Sequence, residues 1–266
     1  MKLIALHSMP RSGSTWLGSI IDSCPVVSYK MQPLFSYSLK GSLTDDSSLN
    51  EIIEFKKRLI TVKDNFIDQE SRKQEGIVPS FKKSTFDCVA YKETRYHFIL
   101  DNLLQKDKEV LLIGLIRNPF AHLHSWFNAP KEFDADWKIE EEWKYGDKKN
   151  LDKREEYYGF EKWKELGFMF HDLKSKYGDK VFIMEYSELI DEPIKKTKEL
   201  FSFLDIPYTD QTNSFLTISR SKNNLDPYGV YKTKENDDSW KGKIPDFIID
   251  NVHSNLKGTV LERYLK

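Results

Sequence analysis

Cysteine is scarce in this chain, and its two cysteines, Cys24 and Cys88, do not have the spacing of metal ligands. Nothing in their positions supports a disulfide, as expected of a protein from a reducing compartment. No apolar run approaches the length of a membrane span, and no hydrophobic signal region precedes the first predicted strand. We therefore expect a soluble, cytoplasmic protein.

Net charge is also nearly absent. The formal charge is −1 over 266 residues and the isoelectric point is near 6.6, which gives no support to general binding of nucleic acid or of an anionic membrane. The 41 basic residues can still concentrate in one cleft. Repeats, low-complexity tracts and linkers are missing too. The length suits one large α/β domain, and we predict a single domain over residues 1–266.

What the chain does contain, at its start, is a strand, a tight loop and a helix. Residues 3–6 form an apolar run typical of a buried parallel strand. Pro10 and Gly13 shape the loop, and from Trp16 onward apolar residues recur at helical spacing. This arrangement directs backbone N–H groups and a positive helix end at one point, which favours an anion such as phosphate or sulfate. The loop side chains that would add donors are Arg11, Ser12, Ser14 and Thr15.

A lysine is missing from this loop. A Walker A motif has Lys directly before the Ser/Thr, where it reaches the terminal phosphates while the hydroxyl binds Mg²⁺. Here Ser14 follows Gly13, and the only nearby cation is Arg11. The pattern therefore favours a nucleotide whose terminal group is bound without that lysine and without a metal. A P-loop nucleotide kinase stays open as an alternative.

Strands and helices alternate along the rest of the chain. This alternation predicts an α/β fold, a three-layer sandwich with a central parallel sheet and helices on both faces. Ligands are then expected at the carboxyl ends of the strands. Apolar runs predict further strands at residues 86–91, 110–116 and 181–184, and helical spacing predicts helices at residues 48–69, 160–177 and 194–204 and from about residue 245.

Two stretches have little periodicity. Residues 129–158 are dense in Lys, Glu, Asp and Trp, and we predict either a mobile lid or acceptor-side insertion, or a solvated surface helix. Residues 205–244 are predicted to be rich in loops. Neither stretch carries a motif strong enough to choose one structure from the sequence.

Residues 10–16, Pro-Arg-Ser-Gly-Ser-Thr-Trp, resemble the 5′-phosphosulfate loop of the sulfotransferases that use 3′-phosphoadenosine 5′-phosphosulfate (PAPS) as donor. Arg117, after the strand at 110–116, and Ser125, eight residues on, resemble the family's 3′-phosphate motif. A phosphate dianion can accept paired hydrogen bonds from the Arg117 guanidinium and a further one from the Ser125 hydroxyl on the following helix. The resemblance covers most of the chain. It implies a P-loop-like enzyme that moves a sulfuryl group from PAPS without a metal.

Four further positions resemble the nucleotide site more loosely. Tyr186 is similar to the aromatic residue beside the adenine and Trp16 is similarly placed, although both could equally be core aromatics. Arg220 and Lys241 resemble the basic segment that closes over the 3′-phosphate. Arginine at position 11 is frequent in carbohydrate and tyrosylprotein sulfotransferases, which shifts the expected acceptor toward a hydroxyl of a saccharide or another natural product. The nucleotide contacts that the resemblance implies are Arg11, Ser12, Gly13, Ser14, Thr15, Trp16, Arg117, Ser125, Tyr186, Arg220 and Lys241.

The catalytic residues that the resemblance implies are Lys92, similar to a family lysine near the transferring group, and Arg11. The general base is where this chain departs from the pattern. Cytosolic members have His where this chain has Thr94, and some glycan enzymes have Glu where it has Tyr91. Glu93 lies between these positions, and we predict it as the base.

Glu93 has a drawback as a base, because Lys92 and Arg95 should lower its pKa. His7, His97 and His124 are the alternatives. A protein that keeps the nucleotide cleft and has lost its base would be a binding protein without turnover, which is the third functional alternative.

Overall fold

A computed structural model describes residues 1–222, 229–231, 233 and 236–266 of the chain. The strands are β1 Lys2–Ser8, β2 Val27–Met31, β3 Cys88–Glu93, β4 Val110–Ile116 and β5 Val181–Glu185. The α-helices are α1 Ser14–Asp22, α2 Leu49–Thr61, α3 Asn65–Asp68, α4 Glu70–Gln74, α5 Leu100–Lys106, α6 Pro119–Phe127, α7 Ile139–Glu142, α8 Asp147–Asn150, α9 Phe160–Tyr177, α10 Tyr186–Asp191, α11 Pro193–Leu204, α12 Asp210–Ser221 and α13 Asp246–Leu256. Short 3₁₀ helices lie at Pro33–Phe35, His97–Ile99, Gly178–Lys180 and Val260–Leu265.

The five strands form one sheet in the order β2-β3-β1-β4-β5, and every pair of neighbours is parallel. In the centre, Leu3 of β1 lies opposite Val89 of β3 and Val110 of β4. All carboxyl ends of the strands therefore lie along the same edge of the sheet.

Both faces of the sheet are covered. Along β1, Leu3 and Ala5 belong to one buried apolar cluster, whereas Ile4 and Leu6 belong to another, because successive side chains of a strand point to opposite faces. The first cluster includes side chains of α2, α5, α6, α9 and α13, and the second includes side chains of α1, α10, α11 and α12. The predicted three-layer α/β fold is confirmed.

The predicted helix over residues 48–69 is wrong in its second half. Helix α2 ends at Thr61, and Val62 is extended. Asp64 then starts the separate short helix α3, because its carboxylate accepts hydrogen bonds from the backbone N–H groups of Phe66 and Ile67. The apolar stripe continued across this break, so the periodicity alone did not show it.

Two other differences bear on the functional site. Strand β3 runs two residues beyond the predicted end at residue 91, so Lys92 and Glu93 belong to the strand. Helix α12 occupies part of the stretch predicted to be rich in loops; the Thr209 side chain caps it, and Phe215 and Leu216 are buried. Of that stretch, residues 223–228, 232, 234 and 235 lie outside the described residues.

Residues 129–158 form neither a long surface helix nor a detached loop. They contain the one-turn helices α7 and α8, and four of their aromatic side chains are buried in the first apolar cluster: Phe133, Trp143, Tyr157 and Tyr158. Large apolar burial of this kind fixes the segment to the body of the molecule. In the described part of the chain, none of the helices is long and apolar enough to cross a bilayer.

Candidate active site

A cleft of about 520 Å³ opens at the carboxyl edge of the sheet, which is where open α/β sheets bind their ligands. Residues that follow each of the five strands contribute to its wall, among them Gln32 after β2 and Thr94 after β3. The predicted site residues that line the cleft are Arg11, Gly13, Ser14, Thr15, Trp16, Lys92, Arg117, Ser125, Tyr186 and Arg220.

The turn between β1 and α1 can be made only with glycine at position 13. Gly13 has φ +86°, and a Cβ atom there would lie 2.1 Å from Cε2 of Tyr186. Arg11 also has a positive φ, 63°, a backbone conformation that costs a residue with a side chain about 1–3 kcal/mol. The backbone N–H groups of Trp16 and Leu17 donate to the Gly13 carbonyl and begin α1. The positive end of α1 thus faces the cleft, as an anion site requires.

Arg117 joins this turn to the end of β4. Its side chain is only 5 % exposed, and Nη1 donates to the carbonyl oxygen of Arg11 at 2.6 Å. Its Nε donates to Oδ2 of Asp237 at 2.6 Å, and Nη2 donates to the other carboxylate oxygen. The guanidinium also lies 5.2 Å from the ring centre of Tyr186. A carboxylate therefore occupies the fork that best fits a phosphate.

The Arg11 side chain extends toward α6 and the segment after it. Its Nε donates to Oγ of Ser125 at 3.4 Å and lies 3.7 Å from Oε2 of Glu132. That Oε2 atom is buried and accepts no hydrogen bond from the described residues. Glu132 is the only carboxylate among the described residues that line the cleft.

Lys92 and Glu93 lie on opposite sides of β3, because side chains alternate along a strand. Lys92 reaches the cleft, where its Nζ lies 3.4 Å from Oγ1 of Thr15, and burial lowers the pKa of its ammonium group to about 8. Glu93 is fully buried behind the wall, and its Oε1 accepts a hydrogen bond from the Leu34 N–H at 2.7 Å. Burial raises the pKa of the Glu93 carboxyl to about 8. The structure does not bring the predicted base to the cleft.

Trp16 and Tyr186 form the end of the cleft beside β5. Their ring centres are 6.4 Å apart, and their planes are nearly perpendicular at 89°. The indole N–H of Trp16 donates to Oγ of Ser219 on α12 at 3.0 Å, which fixes the orientation of the ring. Arg220, next to Ser219, also lines the cleft. Both aromatic residues therefore line the cleft as well as packing against the core.

Two other predicted contacts lie outside the cleft. Ser12 is buried, 1 % exposed, and faces a small internal cavity lined by Met9 and Trp163. The Lys241 side chain is 61 % exposed and pairs with Asp238 at 2.9 Å.

The histidines considered as alternative bases do not line the cleft either. His7 and His97 are fully buried, with their Nδ1 atoms 2.9 Å apart, and His7 Nε2 lies 3.2 Å from the Tyr91 hydroxyl. Burial lowers the pKa of His7 to about 3 and that of His97 well below its ordinary value. Together they form a buried neutral network that supports the end of β3.

The sequence analysis missed several residues of the cleft wall. Phe35 lies in the 3₁₀ turn after β2, and the guanidinium carbon of Arg95 lies 4.3 Å from its ring centre. Glu132, Lys149 and Tyr158 come from the segment that the sequence left unassigned. Arg95 could have been found from its place three residues after Lys92. The others carry no periodic signal, because that segment approaches the cleft in irregular backbone.

The family model described as "Sulfotransferase domain" matches residues 2–257. A sequence comparison with curated proteins finds no match.

Three solved structures illustrate the structural likeness. Mouse sulfotransferase SULT7A1 complexed with PAP has a TM-score of 0.56 and 17 % identity, with 99 % of this chain and 87 % of that chain covered. Retinol dehydratase in complex with androsterone and the inactive cofactor PAP has a TM-score of 0.57 and 12 % identity, with 98 % and 83 % covered. The sulfotransferase domain of the Synechococcus PCC 7002 olefin synthase has a TM-score of 0.52 and 14 % identity, with 96 % and 94 % covered. At these identities the likeness establishes the fold.

Proposed function

The chain belongs to the sulfotransferase family, and on that premise we propose that it transfers a sulfuryl group from PAPS to a hydroxyl group of a saccharide or another small natural product. One observation carries this proposal. The β1–α1 turn and the Arg117 guanidinium open onto the same cleft, and Arg117 Nη1 bonds the Arg11 carbonyl oxygen at 2.6 Å. Two anion-binding groups held so close suit a nucleotide with phosphate on both its 5′ and 3′ positions.

The nucleotide then extends along the half of the cleft formed by β1, β4 and β5. The turn residues Ser14 and Thr15 and the N-terminus of α1 bind the 5′-phosphosulfate, while Arg117, with Ser125 nearby, binds the 3′-phosphate. Trp16 and Tyr186 contact the adenine, with one ring face available for stacking. Two solved structures of the same fold are complexed with PAP, which supports a nucleotide of this kind as the ligand.

The chemistry needs charge stabilisation more than covalent participation. When a sulfuryl group passes in line between two oxygens, negative charge develops on the leaving 5′-phosphate, and positioned donors stabilise it. Lys92 and Arg11 are the cations placed for this task, because Lys92 Nζ lies beside Thr15 and Arg11 belongs to the turn itself. Both are held by neighbours before any ligand binds, so little reorganisation is needed.

The acceptor enters at the other end, beside β2 and β3. There the wall contains Phe35 and Phe66, both more than two-fifths exposed. Exposed rings of this kind suit the apolar face of a sugar or an aromatic ring. Single-domain organisation and a cytoplasmic location complete the proposal; Cys24 and Cys88 are both free, which fits a reducing compartment.

Calorimetry and a transfer assay test the proposed function. We expect 3′-phosphoadenosine 5′-phosphate (PAP) to bind with or without Mg²⁺, and ATP with Mg²⁺ to bind far more weakly. Arg117→Met should abolish most PAP binding, whereas Arg154→Met, which changes an exposed arginine paired with Asp45, should leave it unchanged. Labelled sulfate should pass from PAPS to members of a hydroxylated acceptor panel. Tight Mg²⁺-dependent binding of ATP would favour a kinase, and PAP binding without transfer to any acceptor would indicate a binding protein.

A further inference from the structure

The acceptor half of the cleft contains an ammonium group that no carboxylate of the described residues neutralises. Lys149 Nζ donates to the backbone carbonyl of Lys131 at 3.2 Å and lies 5.4 Å from the ring centre of Tyr158. Among the described residues, no carboxylate oxygen lies within 4.0 Å of it. A carbonyl dipole and a ring face orient the cation without cancelling its charge. Lys149 is therefore presented to the cleft as a charged group.

The neighbours of Lys149 extend this site. Tyr158, Glu132 and Arg95 line the same cleft as Lys149, and burial raises the pKa of the Tyr158 hydroxyl. Arg95 donates to Glu156 through Nε at 2.8 Å while its guanidinium plane covers the exposed ring of Phe35. Its outer edge keeps the fork geometry that binds carboxylates, sulfates and phosphates.

The whole cleft shows the same excess of positive charge. Eight cationic side chains and one carboxylate line it, counting only described residues, although Arg117 and Arg95 each pair with a carboxylate outside the lining, Asp237 and Glu156. The proposed nucleotide site uses four of these cations: Arg11, Lys92, Arg117 and Arg220. PAPS can match them, since its 3′-phosphate carries about −1.5 to −2 charges and its phosphosulfate about two more. Lys149 and Arg95 lie beyond this set: Lys149 contacts the ring of Tyr158, and Arg95 contacts the ring of Phe35.

From this arrangement we propose that the acceptor is itself an anion: a hydroxylated ring compound that carries a carboxylate, sulfate or phosphate group. Its ring rests on Phe35 and Phe66, and its anionic group binds Lys149 with Arg95 nearby. The reactive hydroxyl then points toward Arg11 and the transferring group. This inference rests on the proposed function and specifies the substrate class of the same cleft.

A matched pair of acceptors tests the inference: 4-nitrophenyl β-D-glucuronide and 4-nitrophenyl β-D-glucoside, which differ in a carboxylate. Each is titrated into the protein saturated with PAP, and each is assayed for sulfate transfer from PAPS. We expect the glucuronide to bind about tenfold more tightly, with a preference that falls as salt increases. Lys149→Met should abolish the preference, and Lys148→Met, at an exposed residue paired with Glu141, should keep it.

Equal binding of the two glycosides, tighter binding of the glucoside, or a preference that survives Lys149→Met would each overturn the inference. The inference would also be overturned if neither glycoside bound the PAP complex at about 10 mM, a concentration at which even a weak ligand binds measurably. Failure of the proposed function looks different, because PAP itself would then not bind.

A separate observation concerns the proton of the acceptor hydroxyl. Glu132 is the one carboxylate on the described cleft wall, its Oε2 accepts no hydrogen bond there, and this atom lies 3.7 Å from Arg11 Nε. Since Arg11 belongs to the turn that we propose binds the phosphosulfate, Glu132 lies next to the reaction centre. Glu93, the base predicted from the sequence, is walled off behind β3.

We therefore infer that Glu132 is the general base. The acceptor O–H bond breaks and its proton passes to the Glu132 carboxylate, while the acceptor oxygen forms a bond to sulfur. The bond between sulfur and the bridging oxygen of the 5′-phosphate breaks, and its electron pair stays on that oxygen, which leaves PAP. One proton and one sulfuryl group have moved, and no other reactant is needed.

Acceptor acidity separates a base from a structural residue. With an alkyl alcohol, Glu132→Gln should lower kcat by about 10²–10⁴-fold, while PAP affinity is unchanged or higher. With 4-nitrophenol, which ionises without a base, Glu132→Gln should lower kcat at least about tenfold less than with the alkyl alcohol, because proton transfer then contributes little to the rate. Glu140→Gln, at an exposed neighbouring residue, should behave as the unaltered protein. An equal loss of kcat with both acceptors, or full turnover by Glu132→Gln with the alkyl alcohol, would overturn the assignment. If Glu132→Gln keeps full turnover and Glu93→Gln is inactive, Glu93 is the general base instead.

Discussion

The ion pair between Arg117 and Asp237 sets up a direct competition with the nucleotide. Both side chains are almost fully buried, 5 % and 7 % exposed, and the carboxylate binds two nitrogens of the guanidinium. The proposed 3′-phosphate needs the same fork. We therefore expect Asp237→Asn, which keeps the size and one acceptor oxygen but removes the charge, to bind PAP more tightly than the unaltered protein.

The size of the gain follows from what the phosphate must displace. A hydrogen bond to a charged group contributes about 1.5–3 kcal/mol net, and asparagine retains part of one of the two. Removing the carboxylate should therefore make binding more favourable by about 1–2 kcal/mol, which corresponds to a roughly 5–30-fold lower Kd. The free protein should also lose stability, because the buried guanidinium loses its charged partner.

Isothermal titration with PAP measures the affinity, and thermal unfolding with and without PAP measures the stability. The neighbouring Asp238→Asn is the matched control, because Asp238 is 48 % exposed and pairs with Lys241 at the surface. It should change neither quantity measurably. If Asp237→Asn binds PAP with equal or lower affinity, Arg117 does not bind the 3′-phosphate in competition with Asp237, and the reasoning fails.

Three further substitutions have defined outcomes. Gly13→Ala should destabilise the fold by roughly 1–3 kcal/mol and abolish PAP binding, because the φ of +86° is strained for alanine and the new Cβ would meet the Tyr186 ring. Urea unfolding measures the stability and calorimetry measures the binding, and a variant as stable as the unaltered protein would contradict this prediction. Lys92→Met should lower kcat by about 10²–10³-fold, because removing one transition-state donor costs roughly 2.7–4 kcal/mol, while PAP affinity should change much less. Steady-state kinetics measures the loss in kcat, and a PAP titration measures the affinity. Glu93→Gln should change the pH dependence of stability. The pKa of Glu93 is raised from 4.5 to about 8 in the folded state, so its contribution is fully present below pH 4.5 and is lost as pH rises through 8. Between pH 5 and pH 7 the free energy of unfolding of the variant should therefore rise by about 2–3 kcal/mol relative to that of the unaltered protein. Urea unfolding at both pH values measures this, and a difference between the two proteins that is the same at both would refute the prediction.

Much of the half of the cleft that we propose binds the nucleotide was predictable from local sequence, because its residues are fixed by strands and by one short turn. The apolar run before Pro10 and the helical spacing after Trp16 located the turn, although α1 begins at Ser14, two residues before the predicted start. Arg117 directly follows a strand of seven apolar or small residues, so the sequence defines its position at the end of that strand. In such segments the backbone alone decides which side chains meet.

The acceptor half was less predictable, for two physical reasons. Strand β3 ends at Glu93 instead of residue 91, so Lys92 and Glu93 point to opposite faces of the sheet: Lys92 lines the cleft, whereas Glu93 is buried away from it. Glu132 and Lys149 reach the cleft through irregular backbone, held by the burial of distant aromatic residues such as Trp143 and Tyr158. No short-range pattern encodes such a placement, because it depends on contacts made across the whole fold.

The strand order divides the cleft into two halves with different structural constraints. Strands β1 and β4, which present the turn and Arg117, each have a neighbour on both sides, so a change there propagates into the centre of the sheet. Strand β2, which leads into Phe35, is an outer strand with one neighbour. Substitutions at that margin can reshape what the enzyme accepts while the donor site stays intact. The architecture thus gives a lineage of such proteins freedom to diversify in substrate without rebuilding the machinery that binds the shared donor.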